Sequence, residues 1–195
     1  MEKPSKQTQT TTIPKKKSVI VISILSIITL GIYCTLWFVK RSPELNNLKT
    51  KTKSKKTLAI FLLILHILLI GSIIGMSINA NLENLDITNQ DLGNVPLTFT
   101  ILFFTALTLG IIDAIIFLYL AFNTRKILNE ALVNKGVKRK VSWFFTLFLS
   151  YYYLQYEVNR IIDNKEKNKR LGPWIFFALI YIILPILSGI IQNLI

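Results

Sequence analysis

The sequence predicts an all-α, polytopic membrane helix bundle, and three observations carry that prediction. Five long apolar stretches divide the 195 residues. The 23 Lys and Arg residues fall into four blocks around them, and none occurs from Thr57 to Thr124. Hydrophobic residues are 52% of the chain, charged residues 17%, and the mean hydropathy is +0.50. A soluble domain carries about 25% charged residues.

Residues 1–17 are Thr-rich and basic, cannot bury a core, and are expected to be disordered. Residues 18–195 then form one membrane domain. Segment one, Ser18 to Val39, is 22 residues without a charge. Segment two, Thr57 to Ile78, has the same length. Segment three, Pro96 to Phe122, has 27 residues and contains Asp113. Segment four, Val141 to Tyr156, has only 16 and is aromatic, with Trp143, Tyr151, Tyr152, Tyr153 and Tyr156. Segment five runs from Pro173 to Ile195, 23 residues. A straight span needs about 20 apolar residues, so segment four falls short.

Charge decides how the segments thread. The blocks 1–17, 40–56, 123–140 and 157–172 hold 5, 7, 6 and 5 Lys or Arg. The loop Asn79 to Val95 holds none and carries Glu83, Asp86 and Asp91. Five full crossings would put 10 basic residues on one side and 13 on the other. If segments one and four enter and leave on one face, as re-entrant or interfacial elements, all 23 lie on one side. The positive-inside rule prefers the second threading and makes that side cytoplasmic. A re-entrant segment one needs protein around its break, and Gly31 is its one breaker.

The net charge of +13 is explained by basic residues facing anionic lipid headgroups at about 1 kcal/mol each. No compact basic fold is left for nucleic acid. The run from Lys49 to Lys56 resembles a polybasic lipid patch, and it also serves as a topology determinant. Cys34 is the single cysteine, so neither an intrachain disulfide nor a metal cluster is expected. It reads as a small apolar filler. Tyr33 before it argues against a lipoprotein site, and segment one exceeds the apolar core of a cleaved signal peptide.

Local signals add detail. Ser42-Pro43-Glu44 has the pattern of a helix start, with a short helix through Leu45 and Leu48 to follow. Segment three is expected to continue out of the membrane to Leu132 and stop at Lys135-Gly136. Pro185 and Gly189 are expected to kink segment five. Gly71 and Gly75 on segment two, with Ala106, Gly110 and Ala114 on segment three, form small-residue stripes that let two helices approach within one chain. An internal likeness sets Gly31-Ile32-Tyr33 over Ser150-Tyr151-Tyr152, each followed by a basic pair or Asn-Arg.

Two residues could carry chemistry. Asp113 lies within a span, where a carboxylate costs about 2.5–3.5 kcal/mol and marks a functional site by default. The bland alternative is a carboxyl reached by water or a Tyr hydroxyl. His66 lies near the middle of segment two. A His66–Asp113 proton relay is conceivable, but counting from the acidic loop sets the two about 7 Å apart in depth. A neutral, hydrogen-bonded histidine is the simpler expectation. No phosphate loop, catalytic carboxylate pair, metal-spaced set or nucleophile elbow is present. No enzyme activity and no cofactor are therefore expected.

Thr29-Leu30-Gly31-Ile32-Tyr33-Cys34-Thr35-Leu36-Trp37 resembles the T-[LF]-G-I-Y-x-x-x-W signature of a family of small prokaryotic membrane proteins, a domain of unknown function numbered four-two-three-four. Gln155-Tyr156-Glu157-Val158-Asn159-Arg160 is similar to that family's closing Q-x-E-[LIV]-N-[KR]. The likeness covers about residues 18–163 and leaves segment five outside. It implies a prokaryotic cell-membrane location and no activity. Its motif positions are Thr29, Gly31, Tyr33, Trp37, Gln155 and Asn159. Three function classes follow: a non-enzymatic scaffold or regulator of a membrane partner complex, a small proton-coupled transporter using Asp113, or an immunity-type protein against a toxin.

Overall fold

The computed structural model describes residues 14, 16–82, 96–163 and 171–183. Among these every regular element is helical. The helices are α1 (Val19–Ile28), α2 (Ile32–Asn46), α3 (Lys56–Leu82), α4 (Leu97–Asn134), α5 (Trp143–Phe148), α6 (Ser150–Ile162) and α7 (Leu171–Ala178), and α7 runs on into a π-helical stretch, Leu179–Ile183. Most of residues 1–17, expected to be disordered, lies outside the described residues, as do the acidic residues Glu83, Asp86 and Asp91 and the kinks at Pro185 and Gly189. At the end of that tail the expectation is corrected, because Lys16 and Lys17 are held by Asp163 and Asn159.

α3 and α4 are long and apolar enough to cross a membrane. At 1.5 Å per residue, 27 and 38 residues reach about 40 and 57 Å, against a hydrocarbon core of about 30 Å. Their apolar faces are largely uncovered in this chain. Only 17% of the most apolar window of α3 and 6% of that of α4 is buried. Phe61, Ile64, Leu68, Phe104 and Ile115 all stand exposed on them.

The first apolar stretch is two helices rather than one. α1 closes with a six-to-one turn, the Gly31 amide donating to the Ser26 carbonyl at 2.8 Å and the Leu30 amide to Ile27 at 3.1 Å. Leu30 and Gly31 both adopt positive φ, 48° and 89°. Gly31 is the N-cap of α2, and the Thr29 hydroxyl accepts from the Tyr33 amide at 3.0 Å. The fourth stretch breaks in the same way: α5 ends at Phe148 and α6 begins at Ser150, whose φ is 41°. The internal likeness thus places Gly31 over Ser150, and these are the positions where the backbone turns left-handed.

The helix start expected at Ser42 does not form. α2 runs through Pro43 to Asn46, because Ser42 spends its hydroxyl on the Phe38 carbonyl (2.8 Å) and on Ser54. Burial of Arg41 and Leu45 on the same helix outweighs the local start signal. The stop of α4 forms as read. Val137 donates to Leu132 and Gly136 to Val133, both at 2.9 Å, with Gly136 at φ 70°, which is a Schellman closure.

The core lies at the basic end. Trp37, Phe38 and Leu45 of α2, Ala59 and Leu62 of α3, Leu120, Ile127, Leu128 and Leu132 of α4, and Tyr153, Leu154 and Val158 of α6 are buried there. Phe117 joins them edge-on, 5.4 Å from Phe38 and 6.2 Å from Tyr151.

Candidate functional site

Two clusters hold the residues singled out by sequence. The first is a hydrogen-bonded core where α2 and α6 meet. Gln155 is fully buried, and its Oε1 accepts from Trp37 Nε1 at 2.8 Å, Arg41 Nη2 at 2.8 Å and Arg41 Nε at 3.1 Å. Arg41, also fully buried, donates its remaining arm to Glu44. Gln155 Nε2 donates to Asn159 Oδ1 at 2.7 Å. Asn159 then clasps the chain before α1, accepting from the Lys17 amide (3.2 Å) and donating to the Lys17 carbonyl (2.6 Å). Lys16 pairs with Asp163 at 2.7 Å. The end of the basic tail is thereby tied to α6. A buried guanidinium is tolerable only with its donors satisfied, and one amide oxygen takes two of them. Sequence reading placed Trp37, Gln155 and Asn159 but missed Arg41, whose signal was its position one helical turn after Trp37.

The second cluster is the pair of ionisable side chains within the long helices. His66 Nδ1 lies 3.2 Å from Asp113 Oδ2, and Nε2 lies 3.3 Å from the Leu30 carbonyl. The expected depth offset is corrected here. α3 runs past Ile78 to Leu82, so His66 stands 16 residues from the end of α3 and Asp113 stands 16 from the start of α4. Both side chains are mostly shielded, 18% and 13% exposed.

The donor and acceptor inventory limits the protonation states. A carbonyl oxygen only accepts, so Nε2 carries a proton. The Nδ1–carboxyl contact needs a second proton, on Nδ1 or on Asp113. An imidazolium beside a carboxylate and an imidazole beside a carboxylic acid hold the same two protons and the same zero net charge. Removing one proton sets a bare ring nitrogen against an acceptor, at the carboxyl or at the helix break. Asp113 Oδ1 is buried without a hydrogen-bond partner among the described residues, which leaves one acceptor open.

Gly31 belongs to this cluster. A Cβ built on it would lie 2.8 Å from His66 Nε2 and 3.3 Å from Cε1. Glycine therefore serves twice at this position, for the left-handed backbone and for room beside the imidazole. Tyr33 lies under the Lys40 ammonium, 5.8 Å from the ring centre. Cys34 is half-buried and forms no disulfide.

The small-residue stripes divide. A Cβ on Gly75 would touch Leu102 at 3.5 Å, and one on Gly110 would touch Leu69 at 3.9 Å. These two face the partner helix. Gly71 is exposed and has nothing within 4 Å of a built Cβ, and Ala114 is exposed too. Ala106 is half-buried.

Among the described residues no group of three His, Cys, Asp or Glu could hold a metal ion. Past the apolar part of α4, Glu130 accepts from the Thr52 amide (2.8 Å) and hydroxyl. Those bonds hold its carboxyl below the ordinary range.

No curated protein and no solved structure matches the chain. The model of one family, a domain of unknown function (DUF4234), matches residues 17–192. That range takes in the fifth apolar stretch, which the two motifs alone had left outside. The chain belongs to the DUF4234 family.

Proposed function

We propose that this chain is a multi-pass protein of the cell membrane. In this reading it acts without enzymatic chemistry, as a scaffold or regulator of a membrane partner complex at its basic, cytoplasmic face. The observation that carries the proposal is the closure of three motif side chains and Arg41 on one another. Trp37, Arg41, Gln155 and Asn159 satisfy each other inside the helix packing. Such residues hold a shape. Support for the membrane reading comes from the exposed apolar surface of α3 and α4. The absence of Lys and Arg from Thr57 to Thr124 agrees with it. The breaks at Leu30–Gly31 and Ser150 suit segments that return to the face they entered from.

A second reading, a small proton-coupled transporter, is favoured by the 3.2 Å approach of His66 and Asp113. Proteoliposomes loaded with a pH-sensitive dye separate the two. The scaffold reading predicts no protein-dependent proton flux under an imposed gradient, and complementation of a deletion strain's defect by Asp113→Asn. Flux that disappears in Asp113→Asn would reject the scaffold reading in favour of the carrier.

A further inference from the structure

The last turns of α4 form the floor of a concavity of about 610 Å³ between two loops. Lys49 and Lys51 line one wall, Lys138, Arg139 and Lys140 the other, and Lys126 the floor. Both walls are fixed to α4. On one side Glu130 takes the Thr52 amide and hydroxyl, and Asn134 Nδ2 donates to the Lys49 carbonyl at 3.3 Å. Lys49 is held there at φ 52°. On the other side Asn129 accepts from the Val141 amide at 2.7 Å, and Arg125 Nε donates to the Val141 carbonyl at 3.0 Å.

Charge in this space is unbalanced. Six cations and one carboxylate, Glu130, line it. Both Glu130 oxygens are engaged by Thr52, and Arg139 is paired with Glu157 at 2.6 Å. Lys49, Lys51, Lys126 and Lys138 make no salt bridge among the described residues. A topology signal needs basic residues near the membrane but not their convergence on one concavity with pinned walls. Clustered ammonium groups are compact point charges with rotatable donors that can approach the several oxygens of a phosphate from different sides, as lysine does in phosphate-binding loops.

We infer that this concavity binds an anion bearing phosphate groups, presented either by a lipid headgroup or by a soluble phosphorylated molecule. The site stands on the geometry of the two loops and is independent of the scaffold and carrier readings. Native mass spectrometry of the full chain in detergent tests it with two probes, cardiolipin and inorganic pyrophosphate. Three forms are compared: wild type, a Lys49→Gln/Lys51→Gln/Lys138→Gln variant, and a control of equal charge, Lys40→Gln/Lys55→Gln/Lys56→Gln. The expected result is binding by the wild type that weakens at least about tenfold in the pocket variant and less than about threefold in the control. Lys49→Arg/Lys51→Arg/Lys138→Arg should keep most of it, which excludes loss through misfolding. Binding of cardiolipin alone identifies a lipid headgroup, and binding of pyrophosphate as well identifies a soluble ligand. The inference is overturned if wild type binds neither probe, if both Gln variants weaken equally, or if the pocket variant binds like wild type.

Discussion

Gly31→Ala is the most informative single perturbation. The new Cβ would sit 2.8 Å from His66 Nε2, closer than unbonded heavy atoms approach. The imidazole cannot swing away freely, because Asp113 and the Leu30 carbonyl hold its two nitrogens. Two costs add. An L-residue at φ 89° loses about 1–2 kcal/mol in the left-handed region. Displacing His66 leaves a shielded polar group without its partner, about 1–3 kcal/mol. The sum is about 2–5 kcal/mol, a fall in Tm on the order of 5–15 °C for a chain of this size. Thermal unfolding of detergent-purified protein, followed by loss of monodispersity, measures it. A double-mutant cycle with His66→Ala isolates the clash: Gly31→Ala should cost at least about 1 kcal/mol less when His66 is already gone. An equal cost in both backgrounds, or a Gly31→Ala protein as stable as wild type, would refute the contact between the helix break and the imidazole.

Gly71→Leu should change Tm by no more than about 1–2 °C, since its Cβ faces open space; a larger fall in the same melt would place Gly71 on a helix contact after all. Gln155→Leu should cost about 3–5 kcal/mol by stranding the buried Arg41 guanidinium, while Gln155→Glu keeps an acceptor there and should cost clearly less, as read by denaturant-induced loss of helical circular dichroism. Ser150→Gly should be neutral or stabilising by up to about 1 kcal/mol, because it relieves a left-handed serine; a marked loss of stability would mean that the Ser150 side chain is needed for packing.

The helical class and the two long helices were legible in the sequence because they rest on composition and length, which tertiary packing does not reverse. The end of α4 was legible for a local reason: Lys135-Gly136 supplies its own left-handed stop. The break of the first stretch was visible only as Gly31, since Leu30 also turns left-handed and nothing in a leucine announces that. The start signal at Ser42 misled, because a hydroxyl can bond the carbonyl four residues back as readily as cap a new helix. The His66–Asp113 contact was hidden by a boundary shift of four residues at the end of α3. Such a shift moves a side chain by about 6 Å along a helix axis, enough to join or separate a pair. The partnership of Arg41 with Gln155 spans 114 positions, and no local pattern encodes it.

Side-specific cysteine labelling tests the central claim, that the first and fourth stretches turn back and leave every basic block on one face. With Cys34 replaced by Ser, single cysteines at Ser5, Lys138 and Gln90 would be exposed in intact cells to a membrane-impermeant maleimide. A returning first stretch predicts that Ser5→Cys and Lys138→Cys stay unlabelled until the membrane is opened, while Gln90→Cys reacts from outside. Labelling of Ser5→Cys from outside, with Lys138→Cys still protected, would mean that the first stretch crosses the membrane, and would contradict the claim.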